Sequence, residues 1–290
     1  MANDERPRAA ASVPAKAPRT SRIDFATLAG LVLGVGGIVG GLVLEGGHVQ
    51  EIIAPTALLI VLGGTMGAVM ITTPMHTLRA GVRALGKVFV EKCDAPESMI
   101  DLIVDYSSKA RKSGIVALEQ VALEAQDPFL RKALNLAVDG TDLQELRKMM
   151  ELEIEIEERA GESEAKLFEG AGGYAPTIGI IGAVLGLIQV MKDLADIEKV
   201  GHGIATAFVA TIYGVAFANL FFLPVAGKIK ARAQQNVQMR ELILEGVIGI
   251  VEGLNPKLIR TKLEAYTRAE EPKKAAVKPE KSGAKEAVEA

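Results

Sequence analysis

The sequence predicts an all-α, polytopic membrane protein with four transmembrane helices and a helical cytoplasmic domain, and three observations carry that expectation. Of the 290 residues 49% are hydrophobic while 24% are charged, so the two kinds are segregated along the chain rather than mixed. Four stretches, Phe25 to Leu44, Ile52 to His76, Gly170 to Met191 and Gly203 to Gly227, contain no Asp, Glu, Lys or Arg. At roughly twenty residues or more, each is long enough to cross the hydrocarbon core as a helix, the conformation that satisfies its own backbone hydrogen bonds where water is absent. No alternating strand pattern bounded by turn residues competes in the remainder. Four buried helices of a soluble protein are the alternative, disfavoured by their number in so modest a chain.

Residues 1–22, polar and punctuated by Pro7, Pro14 and Pro18, are expected to be a disordered leader. The first apolar stretch is too long for the core of a cleavable signal, so it is expected to stay as an anchor. Residues 23–76 hold membrane helices one and two. Residues 77–169 form a helical segment. Met99, Leu102, Ile103 and Tyr106 recur on one helix face behind Pro96. Asp127-Pro128 opens a second helix that Gly140 closes. Thr141, with Gln144 in the capping-box position, is expected to cap a third helix running through Leu143, Leu146, Met150 and Ile154. Residues 170–227 carry membrane helices three and four. Residues 228–268 are expected to be a cytoplasmic helix, with Leu242, Val247, Ile250 and Leu254 on one face and an end before Pro256. Residues 269–290, rich in Lys, Glu, Ala and Pro, are expected to be a disordered tail.

Lys and Arg set the orientation. Arg6, Arg8, Lys16, Arg19 and Arg22 precede the first helix, Arg79, Arg83, Lys87 and Lys92 follow the second, and Lys228, Lys230 and Arg232 follow the fourth. The loop between helices one and two has none. Both termini and the middle segment are therefore expected in the cytoplasm. A net charge of −3 with interspersed signs gives no reason to expect a nucleic-acid partner, and Cys93, the single cysteine, excludes an internal disulfide.

Ionisable residues inside membrane helices mark ion paths, and all four stretches lack acids and lysines; His48, His76 and His202 stand at their edges. A proton path through this chain would need its titrating group from a partner. Pro176, Gly179, Gly182 and Gly186 follow helical spacing on one face, which fits either close helix packing or a mobile contact. Pro176 and Pro224 each remove an intrahelical hydrogen bond, and near the same depth in consecutive helices they suggest a flexing pair or a static kink. Thr177, Thr206 and Thr211 are candidates to line a hydrated path or to bond their own helices. No metal cluster, nucleotide loop or nucleophile arrangement is present, so neither an enzyme nor a bound cofactor is expected.

Three stretches, GGYAPTIGIIGAVLGLI (Gly172 to Ile188), FVATIYGVAFANLFFLPVAGKIKAR (Phe208 to Arg232) and KARKSGIVALE (Lys109 to Glu119), resemble the MotA family of flagellar stator proteins, within the wider group that includes ExbB and TolQ. The resemblance extends from about Ile23 to Tyr266, and the order of two membrane helices, a long segment and two more fits MotA, whereas ExbB and TolQ are expected to cross three times. It implies a bacterial inner-membrane protein forming a homopentamer around two copies of MotB, whose aspartate supplies the missing carboxylate. It implies that Pro176 and Pro224 respond to ion passage, that Thr211 lies near that aspartate, and that Arg111 and Glu119 engage the rotor protein FliG. By their spacing alone, Arg111 and Glu119 would be a solvated helix face. Sodium-driven relatives are expected to carry threonine where this chain has Ala183, so protons are the expected ion and sodium the alternative. An outer-membrane energiser of the ExbB or TolQ type and a membrane-anchored scaffold are the rival readings.

Overall fold

The computed structural model describes residues 20–88, 90–93, 96–192 and 194–268; the expected leader, up to residue 19, and the tail lie outside them. Ten helices occur among the described residues: α1 (Phe25–Leu44), α2 (Pro55–Thr72), α3 (Met75–Val88), α4 (Pro96–Ser113), α5 (Glu119–Glu124), α6 (Pro128–Val138), α7 (Leu143–Lys192), α8 (Ile197–Ala216), α9 (Leu223–Val251) and α10 (Pro256–Arg268). Four helical stretches are long and apolar enough to cross a membrane: Phe25–Leu44, Val49–Thr72, Leu143–Lys192 and Ile197–Val251. The multi-pass, all-α reading of the sequence holds.

The apolar stretches turn out to be parts of longer elements. The border at Glu169/Gly170 falls inside α7, an uninterrupted helix of 50 residues. At about 1.5 Å per residue it is ~75 Å long, enough to cross the bilayer and continue well beyond it. Its antiparallel companion runs without a break through α8, a π-helical turn at Phe217–Phe222, and α9. Small residues hold the pair close: Gly186 faces Ala207, Gly182 faces Ala210, Gly179 faces Gly214, and Gly161 faces Ala233. The second apolar stretch, by contrast, divides into a 3-10 turn at Val49–Ile52, α2, and α3 after a break at Thr73-Pro74. Proline at position 74 explains the break, since it biases its predecessor away from helix and Thr73 is extended.

Below the membrane stretches, α4, α6 and α10 pack on the free halves of α7 and α9, and α5 packs on α6. The core there contains Ile103, Leu118, Leu130, Leu134, Leu146, Met150, Ile243, Ile248, Ile259 and Leu263. Met99, Ile103 and Tyr106 point into this core, as their spacing predicts. Asp127 caps α6 by accepting from Leu130 N at 2.9 Å, and Gly140 ends it at φ 74°, a left-handed turn that glycine enters without strain.

Three expectations are corrected. The cap of α7 is Asp142 rather than Thr141, because the Asp142 carboxylate accepts from Gln144 N at 2.9 Å and Glu145 N at 3.3 Å; a carboxylate also suits the positive end of the helix dipole better than a hydroxyl. Residues 228–268 are not one helix: α9 ends at Val251, Gly253 turns the chain at φ 70°, and Asn255 caps α10 through Lys257 N. Pro256 thus starts a helix as well as following one. Finally, the chain is not wholly without strands, because Thr20–Ile23 (β1) pairs antiparallel with Val90–Cys93 (β2), Ile23 opposite Val90. This small ribbon ties the start of α1 to the end of α3.

Helix α1 buries none of its own residues. It touches the rest near Gly34, which faces Leu220 of the π turn, and its first turn is held by charge. Asp24, 6% exposed, caps the helix through Thr27 N and pairs with Lys228 and Arg232 on α9. The hydrogen bond from Lys228, together with that from Thr27, outweighs burial and holds the Asp24 carboxyl well below the usual carboxylate range.

Candidate functional site

Where α7 and α8 cross, their backbones come as close as backbones can. A Cβ added to Gly214 would lie 2.6 Å from Ala175 O, 3.1 Å from Gly179 Cα and 3.2 Å from Pro176 Cα; one added to Gly179 would lie 2.9 Å from Ala210 O. Glycine is required on both sides because nothing there can swing aside. The crossing places Pro176 directly against α8, one turn from Thr211 in the chain. Pro176 and Thr211 are both half-buried.

Pro176 lies inside α7 without ending it. Proline removes the hydrogen bond to the carbonyl four residues earlier, here that of Gly172, and Gly172 packs against Phe222 and Leu223 at the end of the π turn. The two prolines are therefore not level, as their sequence positions suggested. Pro176 sits at Gly214, whereas Leu223, beside Pro224, sits one turn along at Gly172, about 6 Å nearer the cytoplasmic half. Pro224 also does not simply kink its helix. The wider π turn absorbs it, Leu223 N donating to Ala218 O five residues back. Asn219 Nδ2 in that turn donates to Val215 O at 2.9 Å. Asn219 is a polar residue in an apolar stretch, and sequence reasoning passed over it.

The threonines divide. Thr177 Oγ1 donates to Tyr174 O at 2.8 Å and Thr206 Oγ1 to His202 O at 3.0 Å, so both bond their own helices in this chain. Ala183 is half-buried one residue past the Gly182–Ala210 contact. Beyond the crossing, α7 and α8 present an open apolar face with Ile180, Val184, Leu187, Phe208, Ile212 and Val215 all exposed. Tyr213, unforeseen, anchors this pair to the α1–α2 connection. Its hydroxyl donates to Ile52 O at 2.5 Å and accepts from Ala54 N at 3.2 Å.

Arg111 and Glu119 do not share a helix. Arg111 is in the last turn of α4, Gly114 ends that helix at φ 81°, and Glu119 begins α5 after the 3-10 turn Ile115–Leu118. Leu118, fully buried, plugs this corner into the cytoplasmic core. Both charges are exposed on the corner. Among the described residues no group of three or more His, Cys, Asp or Glu could hold a metal ion.

Two family models match the chain: the motility protein A N-terminal region over residues 28–114 and the MotA/TolQ/ExbB proton channel family over residues 121–242. Motility protein A of Bacillus subtilis is 34% identical over 250 residues, spanning 86% of this chain and 93% of that protein. Among solved structures, that of C. jejuni MotAB superposes with a TM-score of 0.82 at 31% identity, covering 86% of this chain and 98% of that one. The flagellar MotAB stator complex from Bacillus subtilis superposes at 0.79 with 34% identity, covering 83% and 95%. With four helical stretches able to cross a membrane, its α7–α8 crossing and these likenesses over most of its length, the chain belongs to the motility protein A group of the MotA/TolQ/ExbB proton channel family.

Proposed function

We propose that this protein is the ion-conducting stator subunit of a bacterial flagellar motor, resident in the inner membrane with both termini in the cytoplasm. Five copies surround two copies of a MotB-like partner, and proton flow is coupled to torque on the rotor protein FliG. The observation that carries the proposal is the α7–α8 crossing: a tight, carboxylate-free contact that sets Pro176 against Gly214, beside an open apolar face. Such a face is open to a further membrane helix, and a proton path along it needs a carboxylate that the charge-free stretches do not contain. The partner's membrane helix and its aspartate supply both.

In this mechanism a proton neutralises the partner's aspartate, changing its fit against Thr211 and the α7 backbone at Pro176. One charge falling through 100 mV supplies about 2.3 kcal/mol, the scale on which a glycine-lined crossing shifts without breaking. The displacement reaches the cytoplasm along α7 and α9, which are continuous with the membrane helices and carry the domain bearing Arg111 and Glu119. Pro224, set beyond a π turn, gives the second helix its own point of give. Contacts of Arg111 and Glu119 with FliG are exposed charge contacts, strong enough to steer and weak enough to exchange rapidly. Ala183 offers no oxygen to replace a sodium ion's water, which supports protons as the ion.

The test is swimming speed in a stator-deleted bacterium expressing this protein with its cognate MotB-like partner, in sodium-free and sodium-rich media of equal ionic strength. Motility in both media is the expected result. Strict sodium dependence refutes the ion assignment alone; absence of motility from an assembled complex refutes the stator assignment.

A further inference from the structure

Helix α3 has two faces of different use. Leu78, Gly81, Ala84, Leu85 and Val88 are buried or half-buried against α7 and α9, with Gly81 against Leu167. On the opposite side Met75, Arg79, Val82 and Arg83 are exposed, Met75 by 56% and Val82 by 61%. The helix contains no acidic residue, and among the described residues neither arginine has a hydrogen bond or ion pair within the chain.

Its position explains that composition. Helix α3 begins three residues after α2 ends. Gly81 meets α7 at Leu167, three residues before the charge-free stretch that starts at Gly170. Ala84 and Val88 line a cavity together with Arg232, the residue that pairs with Asp24 at the start of α1. The strand after α3 pairs with the strand leading into α1. The first turns of α3, which carry Arg79, are thus held near the level where the membrane helices leave the hydrocarbon, and the helix runs from there along α7 toward Glu157 and Glu153, its far end tied by the strands to the start of α1.

We propose that the outward face of α3 is a lipid-recognition surface, in which Arg79 and Arg83 bind the phosphate headgroups of anionic phospholipids in the cytoplasmic leaflet while Met75 and Val82 dip toward the acyl chains. In bulk water an exposed Met and Val beside two arginines gain nothing. At the interface the apolar side chains leave water and the guanidinium groups reach phosphate, whose oxygens match the guanidinium fork. One turn apart, the two arginines present a double cation to a negatively charged surface. The role is separate from ion conduction, and it fixes the membrane-surface end of α2 relative to the α7–α9 pair.

Native mass spectrometry of the full-length chain released from detergent tests this, with phosphatidylglycerol or phosphatidylcholine of identical acyl chains added. The wild type is expected to retain phosphatidylglycerol preferentially, by about fivefold for each engaged arginine. The R79Q/R83Q variant should lose most of that preference, and R79K/R83K, which keeps the charge but not the guanidinium fork, should fall between it and the wild type. No preference in the wild type, or an unchanged preference in R79Q/R83Q, overturns the proposal. A second measurement locates the face: a spin label at V82C in a C93S background, with the chain in phosphatidylglycerol-containing nanodiscs. Greater access for oxygen, which partitions into lipid, than for a water-soluble nickel complex supports it. The reverse order, or disulfide linkage of V82C to a second copy, overturns it.

Discussion

Replacing Gly214 by alanine inserts one methyl group at the point where α7 and α8 are closest. The new Cβ would stand 2.6 Å from Ala175 O and 3.1 Å and 3.2 Å from two backbone Cα atoms, where ordinary contact begins at 3.4 Å. All three obstacles are main chain in continuous helices, so no rotamer change relieves them and the helices must part by most of an ångström. Overpacking of this kind costs about 1–3 kcal/mol. Gly201→Ala is the control, since Gly201 lies on the same helix with nothing within 4 Å of its added Cβ; the helix-propensity change is then common to both variants. Thermal unfolding of the detergent-solubilised protein should show Gly214→Ala below Gly201→Ala by the overpacking cost. Swimming of the complemented stator-deleted strain should fall for Gly214→Ala, since the same contact positions Pro176. Equal stability and equal motility of the two variants would refute the claim that backbone contact at this crossing is tight and functional.

Other expectations follow from particular contacts. Asp24→Asn keeps an oxygen to cap Thr27 N but leaves Lys228 and Arg232 facing a neutral amide, a loss of about 1–3 kcal/mol after allowance for the partial exposure of both cations; faster proteolysis and hydrogen exchange at the start of α1, as it detaches from α9, would report it. Because folding lowers the Asp24 pKa, its contribution is present above the unfolded value of about 3.9 and disappears as pH falls through the folded one. The stability gap between wild type and Asp24→Asn should therefore be flat from about pH 5 to pH 8 and narrow only in stronger acid. Tyr213→Phe removes the hydroxyl that bridges Ile52 O and Ala54 N and should cost about 1–2 kcal/mol, seen as greater labelling of cysteines placed in the 45–54 loop. Leu134→Ala opens a cavity in the cytoplasmic core, where Leu134 is fully buried, and should cost about 2–5 kcal/mol in chemical unfolding.

The membrane helices were legible because hydrocarbon imposes a demand that charge-free length alone records. Phe25–Leu44 was bounded to the residue for that reason. Helix faces in the cytoplasmic region were legible from periodicity, as at Met99, Ile103 and Tyr106, and so was the α6 cap at Asp127. The glycine face of α7 was legible as a contact surface, while its partner residues on α8 were not. Choosing Thr141 over Asp142 as a cap failed because adjacent polar residues compete for the same amides, and backbone direction decides between them.

By itself, then, the sequence determined what local rules and solvent control: the number of spans, their orientation signals, the family resemblance, and the absence of a carboxylate in the four apolar stretches. The tertiary structure alone decided what depends on residues distant in the chain. It set Gly214 against Pro176, offset the two prolines by a turn through the π segment, separated Arg111 from Glu119 at a glycine corner, and clamped Asp24 to α9 more than two hundred residues away. Periodicity reveals which face of a helix is covered, but the register between two covered faces is fixed only when their side chains meet.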